Sequence, residues 1–369
     1  MQKELDIKDT GCFADIFSKA KEYLATDIFI LEQRLPRLGR LKSYCPIKDG
    51  VETTRKDIEG LIEITTPLPE NGYGGGSNPS KTTGVNKEYA FAIQGHGRYR
   101  VSATRSQEGL GLSIRKLPYF IPPLKTIDKL NFLRGLSDVF EGKATTGLIL
   151  HTGLTGAGKS TSIASEVDML AQNISGNILT FEAPVEYHYT QTMAGLRQYE
   201  VGNDVDSYMD GMKIALRNDP SVVVIGEVRT HEEIRTMVDI AVRGQVVFAT
   251  LHTSNALGTL RFLDSMSEDK ESWRQLIASS LRAVISQKLM YTIDQGFVFI
   301  PEILIPNNVV KQKIASGDFA GIRELFLSSH ELRQNGSSTF EQTLTKLCKE
   351  KVISDYHKSV MINDLSMVF

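Results

Sequence analysis

Residues 153–160 read Gly-Leu-Thr-Gly-Ala-Gly-Lys-Ser, and their flanks narrow the fold more than any other stretch of the chain. An apolar run, GLILHT over 147–152, precedes them, and a helix-length stretch, TSIASEVDMLAQ, follows. A glycine-rich turn that leaves a strand and opens a helix can aim successive backbone N–H groups at an anion, at the positive end of the helix dipole. Gly153, Gly156 and Gly158 allow the turn, with Leu154, Thr155 and Ala157 between them. Lys159 can bridge β- and γ-phosphates, and the Ser160 hydroxyl, with Thr161 beside it, can ligate Mg²⁺. The expected ligands are therefore ATP and Mg²⁺, on an α/β core.

The rest of the chain fits around that loop. Apolar, β-branched runs at 177–181 (NILTF), 221–226 (SVVVIG) and 245–251 (QVVFATL) alternate with helix-length segments. Continuous runs of this kind mark a buried, mainly parallel sheet. Before it, Pro118, Pro122 and Pro123 interrupt regular structure and predict a linker over 119–126. Residues 1–118 read differently. An amphipathic helix over 12–24 leads to short strands at Asp27–Leu31 and Leu38–Tyr44, a helix over 55–64, and the two-periodic runs EYAFAIQ, RYRVSATR and LGLSIRKL. The Gly-, Pro-, Ser- and Asn-rich stretch from Thr66 to Lys87 is expected to be an exposed loop. The predicted organisation is a small α+β domain (1–118), the linker, a core (127–290) and a mostly helical C-terminal region (291–369), with helix expected from about 270 onward.

Composition removes several classes. At 369 residues, 42 Lys+Arg against 44 Asp+Glu leave a net charge of −2, which disfavours a general nucleic-acid binder, so no direct nucleic-acid contact is expected. No apolar run approaches the roughly 18 residues of a spanning helix. The start, MQKELDIKDTGCF, lacks a signal peptide's apolar core, and a cytoplasmic location is expected. Cys12, Cys45 and Cys348 are too scattered for a disulfide framework or a zinc set.

Three further features carry chemistry. The strand Val222-Val223-Val224-Ile225 ends in Gly226-Glu227, so Glu227 is the candidate for the Mg²⁺ shell in place of the usual Asp. In TFEAPVEY, Glu182 and Glu186 flank Pro184, and either could orient a water or be a surface acid. His252, in Thr250-Leu251-His252-Thr253, ends another strand; a lone His of this kind senses phosphate or serves structure.

Taken in order, GLTGAGKST, TFEAPVEY, ALRNDPSVVVIGEVR and ATLHTSNALGTL resemble the Walker A, Asp, Walker B and His boxes of the PilT and GspE secretion-ATPase superfamily. Upstream, ATDIFI and GRYRVSATR resemble that family's PAS-like N-terminal domain; downstream, FIPEILI and STFEQTLTKLCKEKVIS resemble its helical tail. The resemblance implies a RecA-like P-loop core and a cytoplasmic homohexamer that hydrolyses ATP. It also implies peripheral attachment to the inner membrane through secretion or pilus platform components. By the same resemblance, Glu182 activates water, Glu227 is the Walker B acid and His252 the His-box residue. The resemblance further implies that strand arginines, here Arg100 and Arg115 with Arg98 and Arg105 nearby, reach the nucleotide. Departures are Ala183 for the common Asp, Thr230 for Asp and Gln245 for His. Ala183 is more like the DotB and TraJ branch, which implies type IV secretion or conjugation rather than pilus retraction. The competing reading is a RecA-like nucleic-acid translocase, which DNA-stimulated hydrolysis would reveal.

Overall fold

The computed structural model describes residues 4–366 apart from 24, 41–42, 48–51, 67–86, 119, 190–191 and 295. The loop expected over 66–87 lies almost wholly outside the described residues. The chain divides into two compact units, Met1–Phe120 and Ile121–Phe369.

In the first unit the elements run β1 (Glu4–Leu5), α1 (Ala14–Glu22), β2 (Asp27–Leu31), β3 (Arg37–Arg40), β4 (Ser43–Pro46), α2 (Arg55–Thr65), β5 (Lys87–Ile93), β6 (Gly97–Ser106) and β7 (Gly109–Leu117). They build one sheet in the order β1-β5-β6-β7-β2-β3-β4, antiparallel except where β1 runs parallel to β5. The segment Leu38–Tyr44, read as one strand, falls on two antiparallel strands instead, β3 and β4, with Arg40 opposite Ser43. Helix α2 starts where Thr54 and Asp57 form a capping box, each side chain accepting the other residue's backbone N–H. It then buries Ile58, Leu61 and Thr65 at helical spacing. Phe17 of α1 meets Tyr99 at 5.0 Å between ring centroids, and Tyr99 stacks on Phe91 at 5.6 Å. Each fully buried ring contributes on the order of 2–3 kcal/mol, which fixes α1 to this face. Arg100 lies opposite Arg115 across β6 and β7. The Arg115 guanidinium pairs with Asp27 on β2 at 2.8 Å.

The second unit holds α3 (Leu124–Ile127), α4 (Ser137–Phe140), β8 (Gly147–Thr152), α5 (Lys159–Ala171), β9 (Asn177–Glu182), β10 (Gly195–Glu200), α6 (Tyr208–Asn218), β11 (Val222–Ile225), α7 (His231–Val242) and β12 (Val246–Leu251). There follow α8 (Ala256–Ser265), α9 (Lys270–Ser280), β13 (Leu281–Tyr291), β14 (Phe297–Leu304), α10 (Asn308–Ser316), α11 (Phe319–Ser328), α12 (His330–Gln334), α13 (Phe340–Lys349) and α14 (Asp355–Ser366). The sheet order is β10-β9-β11-β12-β8-β13-β14. Every pairing is parallel except the last, β13 with β14. Strands β8, β11 and β12 are buried at every position, as runs covered by helices on both faces must be. Alternate residues feed two apolar layers, one around Val223, Val247 and Met237, the other around Phe248, Val167 and Leu344.

The helix expected from about 270 is thus interrupted by the hairpin β13–β14. Ser286, Gln287 and Lys288 break the apolar run of β13 and conceal a strand from periodicity alone. Two of these polar groups are satisfied sideways: Ser286 bonds Thr152, and the Gln287 amide reaches the carbonyl of Ala157. Among the described residues no helix is long and apolar enough to cross a membrane.

Candidate active site

Parallel strands release their chains at one edge of the sheet, and ligands of such sheets collect there. From the end of β8 the chain turns through Gly153, Gly156 and Gly158, at φ of 139°, 81° and 85°. These values favour glycine. Gly153 is doubly constrained, since a Cβ would run into the Gln287 carbonyl oxygen. Gly158 then caps α5 with no side-chain bond to the first turn. The first-turn N–H groups of this helix therefore have no side-chain cap, and open space surrounds Gly156. These residues fit a phosphate group. The buried Lys159 ammonium donates to the carbonyls of Gly153 at 2.6 Å and Leu154 at 3.2 Å. Burial pulls its pKa below the ordinary lysine value, and the charge of Glu227 opposes that. Ser160 is exposed in the first turn of α5, and the Thr161 hydroxyl bonds the Tyr187 hydroxyl at 2.8 Å.

The loop is braced from outside its own sequence. The Gln287 amide donates to the Ala157 carbonyl at 2.7 Å from a side chain 1% exposed. Thr152 meets Ser286 at 2.8 Å. Beneath the loop, His151 of β8 and Glu166 of α5, both fully buried, meet at 3.0 Å and tie strand to helix.

The acids stand at the ends of neighbouring strands. Glu182 closes β9 and accepts from the Thr180 hydroxyl at 2.8 Å and the Gln198 amide at 3.3 Å. Burial raises its pKa to about 7; the two hydrogen bonds act in the opposite sense and the nearby Glu186 reinforces the rise. Glu227 follows β11, and its turn is stitched to β9 by Gly226 N–H donating to the Phe181 carbonyl at 2.8 Å. A Cβ at Gly226 would stand 3.2 Å from the Glu182 Cα, so a larger residue there would push the two acid-bearing strand ends a few tenths of an ångström apart. One Glu227 oxygen meets His252 Nε2 at 2.7 Å, and the other accepts from Arg229 at 2.5 Å. Burial alone would raise this carboxyl, but Arg229 and His252 outweigh it and hold the pKa below the ordinary value.

Lys159, Glu182, Glu227 and His252, from four separate boxes, thus converge at the ends of β8, β9, β11 and β12. Arg100 and Arg115 lie in the other unit. Sequence reasoning missed Gln198, Gln287 and the brace of Arg229. The available signal for Gln287 was a polar pair, Gln287-Lys288, inside an apolar run.

Residues 92–349 match the Type II/IV secretion system protein family. YggR of Escherichia coli K12, an uncharacterized protein, is 36% identical over 69% of this chain and 77% of its own length. The type IV pilus retraction ATPase PilT of Pseudomonas aeruginosa is 32% identical over 72% of this chain and 76% of its own. The type IV pilus ATPase PilU of the same bacterium is 33% identical over 87% and 81%. A crystal structure of the pilus retraction motor PilT with bound ADP aligns with TM-score 0.76 and 29% identity, over 93% of this chain and 95% of that one. The ATPase DotB of Legionella pneumophila aligns with TM-score 0.75 and 25% identity, over 95% of each. The resemblance to the PilT and GspE superfamily therefore holds: the chain belongs to the Type II/IV secretion system protein family and is an ATPase of it.

Proposed function

We propose that this ATPase is a Mg²⁺-dependent motor that works as a homohexamer on the cytoplasmic side of the inner membrane. It is held there by platform components and drives a type IV secretion or conjugation apparatus, or a type IV pilus. Its similarity to PilT, PilU and DotB supports that range of machines. Ala183 in the Asp box places the weight on secretion or conjugation.

In this reading Lys159 binds the β- and γ-phosphates, with backbone N–H groups of residues 153–161 around them. Ser160 and Glu227 hold the Mg²⁺ shell, and the ion, when bound, neutralises charge on the phosphate oxygens. Glu182 takes the proton of the attacking water as its oxygen bonds the γ-phosphorus and the bond to the ADP oxygen breaks. A carboxyl with a pKa of about 7 is matched to that transfer near neutral pH. His252 orients Glu227 through their 2.7 Å contact. Arg100 and Arg115 add positive charge around the γ-phosphate in the assembled ring.

The observation that carries the reading is the opposite tuning of two carboxylates at adjoining strand ends beside the loop. Glu182→Gln tests it: ATP should bind with near-parental affinity, and turnover should fall by about 10²–10⁴. Parental turnover would move the proton transfer elsewhere, with Glu186 next in line. The ring is tested by following specific activity and mass in solution against protein concentration. Full turnover by a monomer would refute it.

A further inference from the structure

Glu302 lies on β14, 8% exposed, and none of the roles above uses it. One carboxylate oxygen accepts the backbone N–H of Ala256 at 2.8 Å. The carboxylate also accepts the backbone N–H of Phe340. Ala256 is the first residue of α8 and Phe340 the first of α13, so one buried acid receives two first-turn donors from separate helices. One further first-turn donor of each helix is served by its own N-cap. Asn255 accepts from Gly258 N–H in α8, and Thr339 accepts from Gln342 N–H in α13. A carboxylate at two helix N-termini satisfies orphan N–H groups and complements both dipoles. Burial pushes the Glu302 pKa up to about 7 while the N–H donors act against the rise.

The position of α8 matters because of what precedes it. Only Thr253, Ser254 and Asn255 separate His252 from Ala256. That arm is tied to the helix: the Thr253 hydroxyl meets the Thr259 hydroxyl at 2.7 Å, and Thr259 donates to the Asn255 carbonyl at 2.8 Å. Where α8 starts therefore sets where the arm leaves β12, and His252 is the arm's contact with Glu227. In register, Glu302 stands opposite Ser286, the residue that bonds Thr152 at the root of the phosphate loop.

We propose that Glu302 is a positioning residue for ATP hydrolysis: by pinning the first turn of α8 it holds the arm that presents His252 to Glu227. This rests on the reading above in which His252 and Glu227 serve hydrolysis. Any rearrangement of α13 would reach the same arm through the shared carboxylate.

The test is a double-mutant cycle on the full-length protein, reading kcat and KM for ATP together with the thermal midpoint. Glu302→Gln keeps the size but turns an amide toward two N–H donors. It should lower kcat about tenfold with KM little changed, because the hydrogen bonds of Glu302 go to α8 and α13 and not to the phosphate loop. In a His252→Ala background, Glu302→Gln should cost less than about twofold more, since residues acting through one another do not add. Ala256→Pro approaches from the other side. It deletes one donor at a helix position that tolerates proline and leaves the carboxylate on Phe340. It should reproduce the loss in kcat, and it carries the test if Glu302→Gln fails to fold. A slowed His252→Ala combined with fully multiplying losses would overturn the inference alone. Unaltered turnover in His252→Ala would overturn both the reading of His252 and this inference.

Discussion

Glu182 and Glu227 end neighbouring strands of one sheet, yet their surroundings pull them apart. Around Glu182 the nearest partners are neutral, a threonine hydroxyl and a glutamine amide, so burial dominates and the pKa climbs to about 7. Around Glu227 stand a guanidinium and an imidazole, which overcome burial and keep the carboxyl ionised. The same side chain is thereby fitted to two tasks: an acid–base group that can gain and release a proton near neutrality, and a fixed negative charge for a cation. Strand-end placement supplies the geometry, and the partners decide the chemistry.

The severest way to break the comparison is to remove Lys159, the proposed anchor of the ligand on which both acids would act. Lys159→Ala deletes the cation held among the loop carbonyls, and turnover should fall by at least about 10³ with the fold retained. Circular dichroism with a phosphate-release assay checks both halves. Substantial residual turnover would end the phosphate-loop assignment.

Next in size are the arginines of the first unit. If positive charge from the ring completes the site, Arg100→Ala and Arg115→Ala should each slow hydrolysis at least about tenfold while nucleotide affinity falls less. Arg115 already pairs with Asp27, so Asp27→Ala is the control. If it matches Arg115→Ala in activity and in thermal midpoint, the arginine serves its own sheet.

A smaller effect sharpens the contrast itself. Arg229→Ala removes the guanidinium that does most to offset burial at Glu227, so its pKa should rise. The Mg²⁺ concentration for half-maximal activity should increase a few-fold, and more steeply at pH 6 than at pH 8. A Mg²⁺ requirement that ignores both the substitution and pH would show that Glu227 does not depend on that guanidinium.

How much of this was legible beforehand follows from how local each feature is. The phosphate loop is a run of contiguous residues between a strand and a helix, so residue order alone displayed it. The buried strands β8, β11 and β12 announced themselves as predominantly apolar runs. Strand β10 did not: its sequence, GLRQYE, is that of a half-exposed edge, with Arg197, Gln198 and Glu200 among only two large apolar residues. Yet its Gln198 helps to set the state of Glu182. The hairpin β13–β14 was masked by Ser286 and Gln287, whose polarity is explained only by partners 134 and 130 residues away in the chain. Spacing could not choose between Glu182 and Glu186. It also could not reveal that Glu182 and Glu227 titrate in opposite directions, since that depends on burial and on a histidine 25 residues downstream.

The smallest predicted effect concerns stability, and its sign is the opposite of what loss of a catalytic group suggests. The Glu182 carboxyl moves from an ordinary value of 4.5 in the unfolded chain to about 7 in the fold. Below pH 4.5 both states are protonated and the full contribution to stability is present. As pH rises towards 7 the unfolded chain ionises freely while the folded one resists, so stability is lost until the buried group ionises too. Glutamine cannot ionise and keeps the size of the side chain. Glu182→Gln should therefore unfold at a higher temperature than the parent at pH 8, by about 2–4 °C for each kcal/mol gained. The gap should narrow at pH 5. Its counterpart, Glu227→Gln, should lose stability at pH 8, because it discards the charge that Arg229 and His252 hold. Thermal midpoints of the three proteins at pH 5 and pH 8 decide the matter. If both variants shift in the same direction at pH 8, the two carboxylates are not tuned apart.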